Sequence, residues 1–299
     1  MNTLRRISLL LLVAALACAL ASCSVTIGGK RYSNQPEETR ADTTAAKTTA
    51  ANATAAETTE SPKASTSVDG SSAVSTTSDK SQTDVVTIDA NGAVTGLTEY
   101  YKDHGSGNLV IPSSVNGIAV RSIAPGAFQN SVYLVSVTIP GYVKEIGERA
   151  FSNCSTIKSL TIQNGVTNIG ERAFESCFNL ETVSIPGSVT RIENHAFFNC
   201  TVLTSVTLGN GITAIGDEAF EECLYLQTLV IPASVKSIGS CAFSSNYGRL
   251  SSVTFNDKTG WYATLTRGAS SGIDMNVSDV AQNATNLKED YAIFYWYKK

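Results

Sequence analysis

Four cysteines recur at a constant spacing of 23 residues: Cys154, Cys177, Cys200 and Cys223. Thiols in such numbers could form disulfides or, if they converged, hold a metal ion. Equivalent positions in successive repeats would instead place the sulfurs in a row with parallel Cα–Cβ directions. That arrangement aims them poorly for disulfide bonding and does not make a tetrahedral metal site. Since predicted core residues flank this position in each repeat, and a buried free cysteine behaves as a small hydrophobic residue, we expect a buried, reduced ladder without a metal.

A further cysteine, Cys241, stands two residues before Phe243, outside this series. The equivalent positions of the preceding repeats hold polar or charged residues: Arg149, Arg172, His195 and Glu218. Such variation is typical of a surface position. We therefore predict that Cys241 is an exposed thiol.

The N-terminus has the pattern of an export signal. Arg5 and Arg6 precede an apolar segment, Ile7–Leu20, that is short for a membrane span. The segment ends in Leu-Ala-Ser-Cys, which resembles the lipobox of bacterial lipoproteins, and the resemblance implies cleavage before Cys23 and lipidation of its thiol, with palmitate-type acylation of the new N-terminus. Two or three acyl chains would anchor the protein to a membrane, because one chain alone binds only marginally. An ordinary secretory signal with a chance cysteine is the alternative.

Other groups that could do chemistry are few. The chain has two histidines: His104 in a loop near the start of the repeats and His195 at the variable surface position described above. No phosphate-binding loop, Ser-His-Asp pattern or metal-ligand cluster occurs. Acidic residues fall at outward turn positions and are typical of a solvated face: Glu145, Glu148, Glu171 and Asp217. The sequence therefore predicts a protein that is not an enzyme and needs no cofactor, and its net charge of −4 argues against a nucleic-acid partner.

A row of hydroxyl side chains is the more informative feature. Eleven serines and threonines occupy the outward positions of the predicted strands: Ser136, Thr138, Ser159, Thr161, Thr182, Ser184, Ser205, Thr207, Thr228, Ser252 and Thr254. Strand propensity on a soluble surface is one explanation, since threonine is favoured in strands. A flat polar docking face for a protein or glycan is another. Ice binding is disfavoured, because serines and Val230 break the regular threonine spacing.

These side chains are positioned by a repeat of 23 residues. Its clearest mark is an Ala-Phe pair that recurs in register at Phe128, Phe151, Phe174, Phe197, Phe220 and Phe243. Isoleucine stands five residues before each phenylalanine, and valine or isoleucine stands eight before. Self-similarity at this period indicates a solenoid. Within Leu180–Leu203 we predict a strand with Val183 and Ile185 facing inward, ended by Pro186, and then about one helical turn around Phe197.

The full pattern Val-Thr-Ile-Pro-x-x-Val-x-x-Ile-Gly-x-x-Ala-Phe-x-x-Cys-x-x-Leu resembles the BspA-like leucine-rich-repeat family over Leu109–Phe255. The resemblance implies a right-handed solenoid with one parallel strand per repeat on one face and short helices or irregular turns on the other. It also implies a secreted or surface protein without catalytic positions, in a family of which some members bind host matrix or plasma proteins. The pattern lapses at Ser131 and Asn246, which replace cysteine, and at Gln163 and Gly209, which replace proline.

The chain divides by composition into five parts. Residues 1–22 are the predicted signal peptide, 23–84 a lipid-anchored Ala/Thr/Ser-rich tether, 85–108 an N-terminal cap, 109–255 the repeat array and 256–299 a C-terminal aromatic cap. The tether has too few apolar side chains for their burial to offset the conformational entropy lost on folding, so we expect it to be disordered. The last part, which contains Tyr291–Tyr297, is expected to close the open end of the solenoid, an aromatic binding patch being the alternative.

Together these features predict an α/β repeat solenoid, with one parallel strand and a short helical turn per repeat, presented from the bacterial cell envelope. Adhesion to an extracellular protein or glycan, with the domain facing outward, is the favoured function. A structural envelope lipoprotein without an external ligand is the alternative.

Overall fold

The computed structural model of the chain describes residues 25–27, 30–32, 85–244 and 249–299. In the segment predicted as a tether, two short strands pair antiparallel as a hairpin, β1 (Val25–Ile27) and β2 (Lys30–Tyr32). The predicted signal peptide and Cys23 lie outside the described residues, as does most of the tether.

The repeats are preceded by two antiparallel strands, β3 (Val86–Ile88) and β4 (Ala93–Leu97), and a short helix, α1 (Glu99–His104). Strand β4 ends at Leu97, because the Thr98 side chain caps α1 by accepting a hydrogen bond from the Tyr101 N–H at 3.2 Å.

The first repeat begins with β5 (Asn108–Val110) and contains an insertion. The inserted residues form a hairpin of β6 (Ser114–Val115) and β7 (Ile118–Ala119), followed by β8 (Ser122–Ile123). Asn116 and Gly117 at its tip both have positive φ, as a two-residue type I′ turn requires.

Each later repeat contributes a long and a short strand, except the last, which contributes a long strand alone. The long strands are β9 (Ser136–Ile139), β11 (Ser159–Ile162), β13 (Thr182–Ile185), β15 (Ser205–Leu208), β17 (Thr228–Ile231) and β19 (Ser252–Phe255). The short strands are β10 (Glu145–Ile146), β12 (Asn168–Ile169), β14 (Arg191–Ile192), β16 (Ala214–Ile215) and β18 (Ser237–Ile238). The long strands and β5 form a parallel sheet of seven strands, the long-strand sheet. The short strands belong to a second sheet, of eleven strands, the short-strand sheet.

The core between the sheets is a column of phenylalanine rings. Phe128, Phe151, Phe174, Phe197, Phe220 and Phe243 are all buried, and successive ring centroids lie 4.8 to 5.4 Å apart with planes within 19° of parallel. This spacing follows from the strand separation, since rings at one position of stacked repeats must repeat at about 4.7–4.9 Å. The predicted repeat solenoid is confirmed.

The segment around each phenylalanine is a layer of turns, so the predicted helical turn is wrong in this detail. Arg149, Phe151 and Asn153 donate their backbone N–H groups to carbonyls of the next repeat, at 2.7 to 2.9 Å. A helix would keep these bonds inside the segment. Here the residue two before each phenylalanine and the residue two after each of the first five have positive φ, among them Arg149 at 52° and Asn153 at 58°, and this directs alternate N–H groups along the solenoid axis.

The positive φ of Asn153 gives a testable expectation. Asn153 is exposed, so substitution there leaves the core unchanged. We expect Asn153→Val to lower the free energy of unfolding by about 1–2 kcal/mol, because a β-branched residue is strained in the left-handed region. Asn153→Gly, the matched control, removes the same side-chain contact with Asn130 without strain and should change stability much less. Equal losses for both variants in urea denaturation would contradict this explanation.

The C-terminal residues close both sheets. Strand β20 (Trp261–Thr264) pairs with β21 (Ile273–Asp274), and after helix α2 (Val280–Thr285) and a π-helical turn (Asn286–Asp290) comes β22 (Tyr295–Lys298). Strand β22 pairs antiparallel with β18 and so ends the parallel part of the short-strand sheet. Helix α2 covers β19: buried Asn283 donates to the Val253 carbonyl at 3.0 Å. The second half of the aromatic segment thus forms strand β22.

Candidate binding surface

The eleven predicted hydroxyl residues lie together on the outer face of the long-strand sheet. They alternate with buried residues along each strand, and the pairing aligns them across strands, as in Ser159–Thr182–Ser205–Thr228–Ser252. We call this set of eleven residues the hydroxyl face. On β11, β13, β15 and β17 its members are exposed, whereas those on β9 and β19 are half-buried.

The hydroxyl face is uncharged. Its strands are neighbours in a parallel sheet, and no residue of the set carries a charge. Val230, 50% exposed, interrupts the row on β17, and Val110 on β5 extends the face with a second apolar position.

The hydroxyls of this face differ in their hydrogen bonding from those of the turns. Thr156, Thr204 and Ser234 in the turns each donate to a backbone carbonyl of the preceding repeat, at 2.7 to 3.0 Å. Within the described part of the chain, Ser136 is the one member of the hydroxyl face whose side chain has a hydrogen bond, to Asn108 Oδ1 at 2.8 Å. The turn hydroxyls therefore stabilise the stack, whereas those of the face are available to a ligand.

The cysteine ladder is buried, as expected, and its four thiols are free. Each sulfhydryl donates to the carbonyl of a phenylalanine one repeat earlier, for example Cys154 to Phe128 at 3.0 Å and Cys200 to Phe174 at 3.3 Å. Burial raises the pKa of Cys154 and of Cys200 to about 12 and the pKa of Cys177 well above its ordinary value. Because the thiolate is the reactive form, these cysteines are structural.

The prediction of an exposed thiol at Cys241 is wrong. The residue is fully buried. The physical reason is the C-terminal cap: the Cys241 N–H donates to Ala292 O at 2.5 Å, and the neighbouring Ser240 hydroxyl donates to Ile293 O at 2.8 Å. The position that varies among the inner repeats is therefore covered by the C-terminal cap in the last repeat.

His195 also departs from its predicted surface position. Its side chain is only 15% exposed, lies 2.8 Å from a carboxylate oxygen of Glu218 and packs edge-on against Phe198. Positive φ at this position, 56°, holds the side chain against the next repeat. His104 is the last residue of α1, and its side chain lies outside the described part of the molecule.

Of the acidic residues, three behave as predicted and one does not. Glu145, Glu148 and Glu171 are exposed, whereas Asp217 is half-buried and pairs with Arg267 of the cap. Over the described ranges there is no group of three His, Cys, Asp or Glu side chains able to hold a metal ion. Nor is any described helix long and apolar enough to cross a membrane.

The fold and its buried pattern define a leucine-rich-repeat solenoid. Residues 121–249 match the BspA type leucine rich repeat region in six copies. This part of the chain belongs to the BspA-type leucine-rich-repeat family, as the sequence pattern indicated.

Solved structures with similar chains are bacterial leucine-rich-repeat proteins. A leucine rich cell surface protein from Faecalibacterium prausnitzii is 30% identical, with 61% of this chain and 54% of that chain aligned and a TM-score of 0.42. A leucine-rich repeat protein from Eubacterium ventriosum is 28% identical, with 52% and 46% aligned and a TM-score of 0.44. The pneumococcal vaccine antigen PcpA is 25% identical, with 58% and 47% aligned and a TM-score of 0.46. The chain thus spans about half the length of these proteins. No curated protein matches the sequence.

Proposed function

We propose that this protein is a lipid-anchored envelope protein that works by binding, with adhesion to an extracellular protein or glycan through the hydroxyl face. The observation that carries the proposal is the set of hydroxyls on this face that are exposed and, apart from Ser136, lack hydrogen bonds within the described residues. An uncharged surface with donors and acceptors at a regular spacing is suited to polar recognition, because each hydroxyl can donate and accept.

Further support comes from what the site does not contain. Among the described residues, the four thiols of the cysteine ladder are buried, and His195 lies against Glu218. A repeat family without catalytic positions and a face without titratable residues both favour a non-catalytic binding scaffold. The N-terminal signal and the long polar segment support presentation of the domain away from a membrane.

The face can be tested by placing charge on one row of it. Thr161, Ser184 and Thr207 lie in register on three central strands, so their replacement by lysine would put three charges side by side. We expect the triple variant to lose at least tenfold in binding to the matrix protein or glycan that the wild-type protein retains. Lysine at Gln129, Asn168 and Thr190, which lie off this face, adds the same charge and should leave binding unchanged. Failure of the wild-type protein to bind any immobilised matrix protein, glycan or partner cell would favour the structural envelope role instead.

The lipid anchor is tested separately. Cys23→Ala removes the thiol to which diacylglycerol would be attached, so we expect the protein to leave the membrane fraction and to lose incorporation of labelled palmitate. Cys18→Ala, a change of the same kind five residues earlier, should alter neither result. Membrane retention of the Cys23 variant would indicate an ordinary secretory signal or another anchor. Protease shaving of intact cells then reports whether the domain faces outward.

A further inference from the structure

A small pocket opens on the short-strand sheet where the repeats meet the C-terminal cap. The outward residues of successive short strands are Glu145, Asn168, Arg191, Ala214 and Ser237, and Tyr297 of β22 follows next to Ser237. Along this row, three long side chains are thus followed by two small ones and then by an aromatic ring. The small residues leave a notch between taller walls, with a volume of about 210 Å³.

The walls of the notch come from different parts of the chain. Arg191 and Asn194 stand on the repeat side, and Arg267, Tyr295 and Tyr297 stand on the cap side. Gly216 and Gly239 also line the notch. Typical pockets for drug-sized ligands measure about 300–1,000 Å³, so this notch suits a single ring or a terminal unit of a longer chain.

The charges that line the notch are balanced within the protein. Arg191 Nε lies 2.7 Å from Glu193 Oε1, and Arg267 pairs with Asp217. Hydrogen bonding by Tyr295 and the nearby Asp217 carboxylate raise the pKa of Arg267, so that this guanidinium stays charged and held in place. A site whose cations already have partners is better matched to a neutral ligand than to an anion.

The polar and aromatic groups are complementary to a sugar. The Tyr295 and Tyr297 rings are half-buried, with centroids 6.5 Å apart and planes within 22° of parallel, and Arg267 Cζ lies 5.4 Å from the Tyr295 centroid on one side of that ring. The faces of such rings carry partial negative charge and attract the C–H groups of a pyranose face. Asn194 accepts the Asp217 N–H through Oδ1 at 3.0 Å, while no described residue accepts from its amide nitrogen, which is free to donate to a hydroxyl.

We propose that this notch binds a neutral pyranose unit, with its C–H face against Tyr295 and Tyr297 and its hydroxyls hydrogen-bonded to Asn194 and to the paired Arg191 and Arg267. The site is on a different sheet from the hydroxyl face. It therefore does not depend on the adhesion role proposed for that face, and each can fail without the other.

The proposal is tested with the full chain in detergent and the methyl glycosides of glucose, galactose, mannose and N-acetylglucosamine. Binding is measured by saturation-transfer NMR and titration calorimetry, with methyl glucuronide and sulfate as anionic probes. Ala214→Arg fills the notch with the side chain that the preceding strand carries at the same position. Asn168→Arg makes the same kind of change two strands away, outside the notch, and is the matched control.

We expect at least one neutral glycoside to bind, Ala214→Arg to weaken it tenfold or more, and Asn168→Arg to leave it unchanged. A second variant, Tyr295→Ser, removes part of the aromatic wall without adding bulk and should give a loss of the same order. The proposal is overturned if no neutral glycoside binds, if only the anionic probes bind, or if neither Ala214→Arg nor Tyr295→Ser changes the affinity.

Discussion

Phe197→Ala is expected to lower the free energy of unfolding by about 3–5 kcal/mol, the range for removing a fully buried aromatic side chain. The Phe197 ring is 0% exposed and lies 5.2 Å from the rings of both Phe174 and Phe220. Its loss leaves a cavity in the middle of the column, and the flanking rings cannot close it because each is fixed by its own repeat. Denaturation in urea, followed by circular dichroism, measures the change.

Two controls make this result specific. Phe198, the next residue, is half-buried on the other side of the backbone, so Phe198→Ala should cost much less. Phe128 has one ring neighbour in the column, at 4.8 Å, and Phe128→Ala should cost less than Phe197→Ala. If all three variants lost the same stability, the column would not be the principal source of the repeat-to-repeat packing energy.

Alkaline pH is expected to destabilise the wild-type protein through the cysteine ladder. In the folded state burial raises the pKa of Cys200 from 9.0 to about 12. Between these values the folded protein keeps a proton that the unfolded chain gives up. The contribution to stability is therefore fully present below pH 9 and is lost as the pH rises toward 12. Three pKa units correspond to about 4 kcal/mol for one thiol.

A Cys200→Ala variant isolates this effect. At pH 7 it should be less stable than the wild type, because it leaves a small cavity and removes the hydrogen bond to the Phe174 carbonyl. As the pH rises from 9 to 11 the difference should shrink, since the variant has no thiol to titrate at this position. Val206→Ala, a buried change without a titratable group, should show a constant difference over the same range. A constant difference for Cys200→Ala as well would mean that the thiol titrates at its ordinary pKa.

Most of the fold could be predicted from the 23-residue period of the sequence. Alternation in segments such as Thr182–Ile185 predicted the strands and which side chains face inward, because the pleat forces a period of two. The phenylalanine and cysteine positions predicted the core in the same way. The layer of turns was predicted as helix because left-handed backbone conformation is usually marked by glycine, and Arg149 and Asn153 are not glycines. Their left-handed conformation is imposed by hydrogen bonds to the next repeat.

The surface was predicted less completely. The hydroxyl face followed directly from strand alternation, but which hydroxyls are already hydrogen-bonded depends on contacts across repeats, such as Thr204 to Glu181. The burial of Cys241 and the pairing of Asp217 with Arg267 depend on the cap, which contacts the last repeats from about 50 residues away in the sequence. No local pattern encodes such contacts. A change from charged to small residues at Ala214 and Ser237 is the one sequence signal that could have indicated the notch.

The turn layer also bears on how such a chain can change length during evolution. Its backbone hydrogen bonds between repeats run one way, from an N–H group of one repeat to a carbonyl of the next, as from Phe151 to Ala173 and from Phe197 to Ala219. At the end of the series Ala292 provides the carbonyl that a further repeat would have supplied to Cys241. Duplication or deletion of a 23-residue unit within the array would therefore keep every bond in register. Unequal recombination between neighbouring units could add strands to the exposed sheet, or remove them, in whole repeats. The same C-terminal segment would still end the array.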